Sequence, residues 1–267
     1  MIRQPAVAGQ FYSASPEALS ADVARYTDLS ADRRPALAVV SPHAGLMYSG
    51  HVAGAVFSRV DVPTTVILLG PNHTGVGPPL SVYQDGAWLI PGGTVPVDRD
   101  LAGAILAAFP LAEADASAHR NEHCLEVQLP FLRHARPDVS IVPIVLGSDS
   151  EQTLRDLGLC LARLIRDRAP RPLLLVSTDF SHYDPDPVVR QKDRHAIEAI
   201  ERLDPDGLGA AVKRYRITMC GYAPMVTVLH AVRSLGATGA SLIRYATSGD
   251  VSGDRGSVVG YAGLVIT

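Results

Sequence analysis

Residues 64–75 read TTVILLGPNHTG. The apolar run is too short for a helix and lacks the alternation of a half-exposed strand, which predicts a strand covered on both faces. It ends on Pro71, Asn72 and His73, so a buried strand hands over at once to a tight turn that carries a polar ring. The same grammar recurs elsewhere in the chain. ALAVVS (36–41) is followed by PHAG with His43, and RPLLLVS (171–177) by TDFSH with Asp179 and His182. Further strand-like runs are VSIVPIVLG (139–147), ASLIRYATSG (240–249) and SVVGYAGLVIT (257–267).

Between these runs the apolar residues take helical spacing, in GHVAGAVFSRV (50–60), DLAGAILAAFP (100–110), EHCLEVQLPFLRHA (122–135), EQTLRDLGLCLARLIRD (151–167), DRHAIEAIERL (193–203) and APMVTVLHAVRSLG (223–236). Strands alternating with helices predict an α/β fold, a mostly parallel central sheet flanked by helices. The last two strand runs, joined by DVSGDRG, predict an antiparallel hairpin closing one edge, and residues 82–98 predict short strands and turns. No repeat, low-complexity tract or linker divides the chain, so one domain is expected over 1–267.

At 47% hydrophobic residues the chain can bury a large core, and its net charge of -3 comes with Lys and Arg scattered rather than clustered. That argues against a nucleic-acid partner or a polybasic membrane anchor. Pro5 and Gly9 interrupt the start where a secretory signal needs an apolar stretch, so a cytoplasmic protein is expected. Three cysteines without framework spacing suit reduced thiols.

In open α/β sheets ligands collect beyond the ends of the strands. One histidine after a strand is an ordinary capping residue, but three strand ends each presenting one point to a metal centre with an acid or base beside it. NEHCLEVQLP (121–130) adds Glu122, His123 and Glu126 at the start of a predicted helix. His123 and Glu126 have the i, i+3 spacing of a di-iron motif, yet no second copy follows, so Glu122 and His123 are expected to support a site or line its wall. First-turn carboxylates are also simply favoured at helix starts. Cys220, in TMCGYAP (218–224), precedes a predicted helix, a position that tends to lower a thiol pKa. Cys160 reads as a buried hydrophobe, and the role of Cys124 stays open. GPNHTGVG lacks a P-loop ending and no GxGxxG follows a strand. TSGDVSGDRGS (247–257) reads as a connection between strands.

AVAGQFY, SPHAGLMYSG, GPNHTG, EHCLEVQLPFL, STDFSHY, TMCGYAP and TSGDVSGDRGSVVGYAG occur in the order and approximate spacing of the Memo-like family, called AmmeMemoRadiSam system protein B in prokaryotes. The chain resembles that family over nearly its whole length. The family is similar in fold to class III (LigB-type) extradiol dioxygenases. The resemblance implies metal ligation by His43, His73 and Cys220, with Asp179 and His182 lining the pocket and His182 at the dioxygenase acid/base position. It places Cys124 where many relatives carry serine. It implies Fe(II), with Cu or Zn as alternatives, an unidentified small-molecule substrate, and a pathway association with radical-SAM and AmmeMemo partner proteins. A thiolate in place of the dioxygenase carboxylate is softer and oxidisable, so ring cleavage does not follow from the fold. The leading expectation is a metal-dependent redox enzyme in which Asp179 orients His182. A non-catalytic module recognising a peptide or partner, and a metal-sequestering protein, are its competitors.

Overall fold

The computed structural model describes residues 1–28, 30–147 and 150–267. The chain opens with β1 (Ile2–Arg3) and α1 (Pro16–Tyr26), then alternates β2 (Ala38–Ser41), α2 (Leu46–Phe57) and β3 (Thr65–Pro71). Shorter pieces follow: β4 (Leu80–Val82), β5 (Ala87–Ile90), β6 (Gly93–Pro96), α3 (Arg99–Ala108), β7 (Glu113–Ala114) and α4 (Ser117–Arg120). A 3-10 turn (Glu126–Gln128) leads into α5 (Leu129–Ala135), β8 (Ser140–Leu146), α6 (Glu151–Ile165), β9 (Leu173–Ser177) and β10 (His182–Asp184). The final third holds α7 (Asp186–Glu201), α8 (Pro205–Tyr215), α9 (Tyr222–Leu235), β11 (Ala240–Thr247), α10 (Gly249–Ser252) and β12 (Val258–Ile266).

The main sheet runs β10-β12-β2-β9-β3-β8-β4-β7, with β11 also paired to β12. Its centre, β2-β9-β3-β8, is parallel throughout. Antiparallel strands extend it on both sides, through β12 against β2 and β4 against β8. The hairpin expected from the last two runs forms as β11 and β12, antiparallel and in contact along most of their length. The 82–98 region gives β5 and β6, which pair with each other, and β5 pairs in turn with β1 to complete a separate three-stranded sheet.

The middle of each central strand is apolar on both faces because each face has its own core. Ile67 and Leu69 of β3, Ala38 and Val40 of β2, and Leu174 and Val176 of β9 pack on one side with residues of α3, α6, α7, α8 and α9. Val66 and Leu68, Val39, and Leu173 and Leu175 point the other way and meet α1, α2 and α5. Side-chain direction alternates along a strand, so two covered faces demand a continuous apolar run. Among the described residues, no helix is long and apolar enough to cross a membrane.

One expectation is corrected here. The helical pattern of 122–135 was expected to start a helix at Glu122, but only its second half is helical: a 3-10 turn covers Glu126–Gln128 and α5 begins at Leu129. The Glu122 carboxylate accepts the N–H of Cys124 at 3.0 Å, which bends residues 122–124 into a turn. His123 and Glu126 therefore do not share a helix face. Glu126 is fully buried and belongs to a different set of contacts, described below.

Candidate metal centre

Parallel strands β2, β3 and β9 end on the same side of the sheet, and their turns meet there. His43 lies in the four-residue link between β2 and α2. His73 follows β3 in a turn built by Asn72, whose side-chain oxygen accepts the N–H groups of Thr74 (3.1 Å) and Gly75 (2.9 Å). An Asn that bonds forward to the backbone two or three residues on makes such a turn without help from other elements. Ser177 closes β9, and Thr178 and Asp179 follow it. Cys220 arrives from the link before α9, where Gly221 permits close approach because a Cβ there would collide with Thr178.

The three imidazoles of His43, His73 and His123 each offer a ring nitrogen, all within 4.8 Å of one another. His73 and His123 stack at 4.8 Å between centroids and 19°, and His43 stands nearly perpendicular to both, at 5.2 Å and 5.4 Å. Cys220 Sγ lies 3.4 Å from His43 Nε2. His43 is 2% exposed, whereas the His123 and His73 side chains are 22% and 35% exposed, so the cluster opens to solvent on the His73 side.

Proton bookkeeping assigns the free nitrogens. Ser177 Oγ donates its one proton to the Cys124 carbonyl (2.6 Å), so it can only accept from Gln128 Nε2 (2.8 Å) and from His43 Nδ1 (3.0 Å). His43 therefore carries its proton on Nδ1 and leaves the Nε2 lone pair toward Cys220. Glu122 Oε2 accepts the His73 N–H (2.6 Å), and Oε1 accepts from His73 Nδ1 (2.9 Å). Burial pushes the Glu122 carboxyl up, but the His73 hydrogen bond and charge and the backbone N–H groups outweigh it and bring it down to about 2. An ionised carboxylate only accepts, so His73 also has its proton on Nδ1 and a free Nε2. Outer partners that fix the tautomer in this way are the usual companions of metal-binding histidines. The donor set fits a transition metal.

Burial, then the neighbouring His123 and His73, holds the His43 pKa well below its ordinary value. His73 goes the other way: burial would lower it, but Glu122 raises it. His123 and His182 are both lowered, chiefly by burial.

The remaining candidates fall into place around this cluster, two of them differently from expectation. Cys220 does precede a helix, yet burial, followed by the Asp179 charge, pushes its thiol up to about 12, so desolvation wins over the helix end. The proposed Asp179–His182 pairing is also corrected. His182 is oriented by Thr218, which accepts its N–H at Oγ1 (2.7 Å) and its Nδ1 at the carbonyl (2.9 Å). Asp179 instead accepts the backbone N–H of His43 (2.9 Å) while its own N–H donates to Cys220 Sγ (3.2 Å). Burial raises the Asp179 carboxyl to about 7.

Cys124 is buried, donates to the Pro71 carbonyl (3.3 Å) and packs where a Cβ on Gly70 would have to stand. Cys160 is buried in α6, as its sequence context predicted. Arg255, Arg190, Asp186 and Asp250 of the 247–257 connection and α7 pair with one another, which satisfies those charges within the fold. Sequence reasoning missed Ser177, Gln128 and Thr218. Ser177 had a signal, being the last residue of a buried strand that ends at the site; Gln128 and Thr218 had none.

The family described as Memo-like protein matches residues 3–265. A MEMO1 family protein of Methanothermobacter thermautotrophicus is 40% identical, over 99% of this chain and 100% of its own. One from Methanosarcina barkeri is 41% identical over 99% and 100%, and one from Aquifex aeolicus 41% identical over 99% and 98%. A solved structure of an uncharacterized protein from Escherichia coli K12 superposes on 85% of this chain and 98% of its own, with a TM-score of 0.56 at 14% identity, a likeness of fold alone.

Proposed function

The chain belongs to the Memo-like family, and from that premise we propose that it is a metal-dependent redox protein acting on a small substrate that approaches from the exposed His73 side. The observation that carries this reading is the convergence of His43, His73 and His123 within 4.8 Å, beside the Cys220 thiol. His43, His73 and Cys220 would hold the ion, with His123 facing the same space as a further donor.

Imidazole and thiolate together suit iron, copper and zinc, and disfavour magnesium or calcium. Iron(II) is the first choice for oxygen chemistry, with copper and zinc as alternatives. Such an ion supplies Lewis acidity and, if iron or copper, one-electron chemistry.

The chain's own groups do the rest. Burial keeps the Cys220 thiol protonated, so to hold an ion as thiolate it would have to give up that proton. His182, held through Nδ1 by Thr218, has its lone pair on Nε2 and is kept neutral by burial, the state in which it can accept a proton. Asp179, with a pKa of about 7, exchanges a proton near neutrality while holding the His43 backbone in place.

The test is metal content by mass spectrometry after anaerobic purification. Near-stoichiometric iron or copper is expected in the wild type and in His182→Ala, with loss in His43→Ala and in Cys220→Ala. His182→Ala is further expected to abolish oxygen-dependent turnover of any substrate found. A wild type that stays metal-free after reconstitution with Fe(II), Cu(I) or Zn(II) overturns the reading.

A further inference from the structure

The amino-terminal segment, whose AVAGQFY motif has no part in the centre so far, is fastened to it by a charge pair shielded from water. The Arg3 and Glu126 side chains are 3% and 0% exposed and meet at 2.6 Å. Glu126 also accepts the N–H groups of Ala6 (2.8 Å) and Val7 (3.0 Å) and the hydroxyl of Tyr12 (2.5 Å). Arg3 lies 4.1 Å over the Trp88 ring and donates to the carbonyls of His119 and Glu122, both at 2.6 Å.

Both ends of the segment reach groups that carry site residues. Arg3 holds the backbone of Glu122, whose carboxylate in turn holds the N–H and Nδ1 of His73. At the other end the Phe11 ring packs 4.8 Å from His123, and the Phe11 carbonyl accepts the Leu46 N–H at the start of α2, three residues after His43. A buried ion pair is a poor source of net stability, because desolvation offsets its attraction. What this one supplies is geometry, since the pair gathers three hydrogen bonds from the segment to Glu126 and two from Arg3 to the loop backbone into one fixed arrangement.

We infer that Arg3 and Glu126 are positioning residues of the metal centre. They set where the Glu122 backbone and the His123 ring stand, and so make metal affinity depend on the docking of residues 3–12. The inference rests on the metal-centre reading. Because such coupling is reciprocal, a bound ion should tighten the segment as much as the segment tightens the site.

The experiment titrates the full chain with cobalt(II), a probe whose visible bands report ligand geometry, in the wild type and in the double variant Arg3→Met/Glu126→Gln. Removing both charges leaves no unpaired buried ion, so the fold is expected to persist, and thermal unfolding of the metal-free variant checks this. A loss of about 10–100-fold in cobalt affinity with altered bands is expected, the usual cost of disturbing the groups behind a metal ligand. In the wild type, cobalt should also slow hydrogen exchange at the Ala6 and Val7 amides. A folded double variant with wild-type affinity and bands overturns the inference. If the double variant does not fold, Tyr12→Phe decides: it removes one hydroxyl from Glu126 and should weaken cobalt by about 2–5-fold, the worth of one hydrogen bond. An unchanged value there overturns the inference. A wild type that takes up no cobalt defeats the metal-centre reading itself, so the two failures are told apart.

Discussion

The turn that carries His43 and the turn that carries His73 do the same job by opposite electrostatics. His43 is buried and is held by a neutral hydroxyl, Ser177 Oγ, whose remaining contacts are also neutral. His73 stands at the mouth and is held by an ionised carboxylate, Glu122. Burial, with the neighbouring His123 and His73, keeps the inner ring's pKa low, while Glu122 draws the outer ring toward the protonated form. A ligand histidine must be neutral to bind metal. If both rings bind the ion as proposed, the inner turn would be ready at any moderate pH, and the outer turn would give up affinity in acid in exchange for a rigidly oriented and more basic ring.

The strongest way to break this contrast is to take the charge from the outer turn. Glu122→Gln should weaken metal binding by about 10–100-fold and lower the His73 pKa, which NMR titration of the ring would read; a His73 titration unmoved by the change would remove Glu122 from its orienting role. Next in size is the inner turn. Ser177→Ala leaves the His43 Nδ1 proton, a Gln128 N–H and the Cys124 carbonyl without their common partner, and should cost about 1–3 kcal/mol in urea unfolding. Metal affinity would fall with it, but the His73 pKa would not, and a shift there would show that the two turns are not independent.

The smallest effect sharpens the comparison through pH. His43, His123 and His182 have pKa values lowered below 6.5 by burial, so below that pH the unfolded chain takes up protons that the fold refuses. Stability of the metal-free protein should therefore fall as pH drops below 6.5. His73, raised by Glu122, has the opposite sign: its contribution is full below 6.5 and fades as pH rises through its folded value. Denaturation of Glu122→Gln at a series of pH values between 4.5 and 6.5, above the range in which the Glu122 carboxyl itself titrates, should consequently show a steeper acid loss than the wild type. A gentler slope would mean that Glu122 does not raise His73.

Much of the fold was legible because its signal is local. Runs such as VILLG (66–70) and LLLV (173–176) are apolar at every position, as doubly covered strands require, and each became the body of a central strand. The meeting of His43 and His73 near one sheet edge followed from their places after strands, whereas His123, which joins them in the cluster, follows no strand. What was not legible depends on burial and on distant partners. Position before a helix suggested a lowered thiol pKa for Cys220, but no local pattern reveals the burial and the Asp179 charge that raise it. Helical spacing over 122–135 did not reveal that Glu122 would spend its carboxylate on His73 and Cys124 and delay the helix to Leu129. Arg3 offered no signal at all, since its partners lie 116 to 123 residues away.

The order of the central strands has a consequence in time. Strand β9 lies between β2 and β3, although it follows both of them in the chain by more than a hundred residues. While the chain is being made, both histidine turns exist long before the strand that separates and spaces them, and the contacts of His43 with Ser177, Asp179 and Cys220 span 134, 136 and 177 residues. Pairings of such range form late and slowly. A site drawn from such distant parts of the chain is expected to be complete only once β9 lies between its neighbours. On the reading proposed above, metal loading would then follow folding rather than drive it, unlike the ion of a zinc finger.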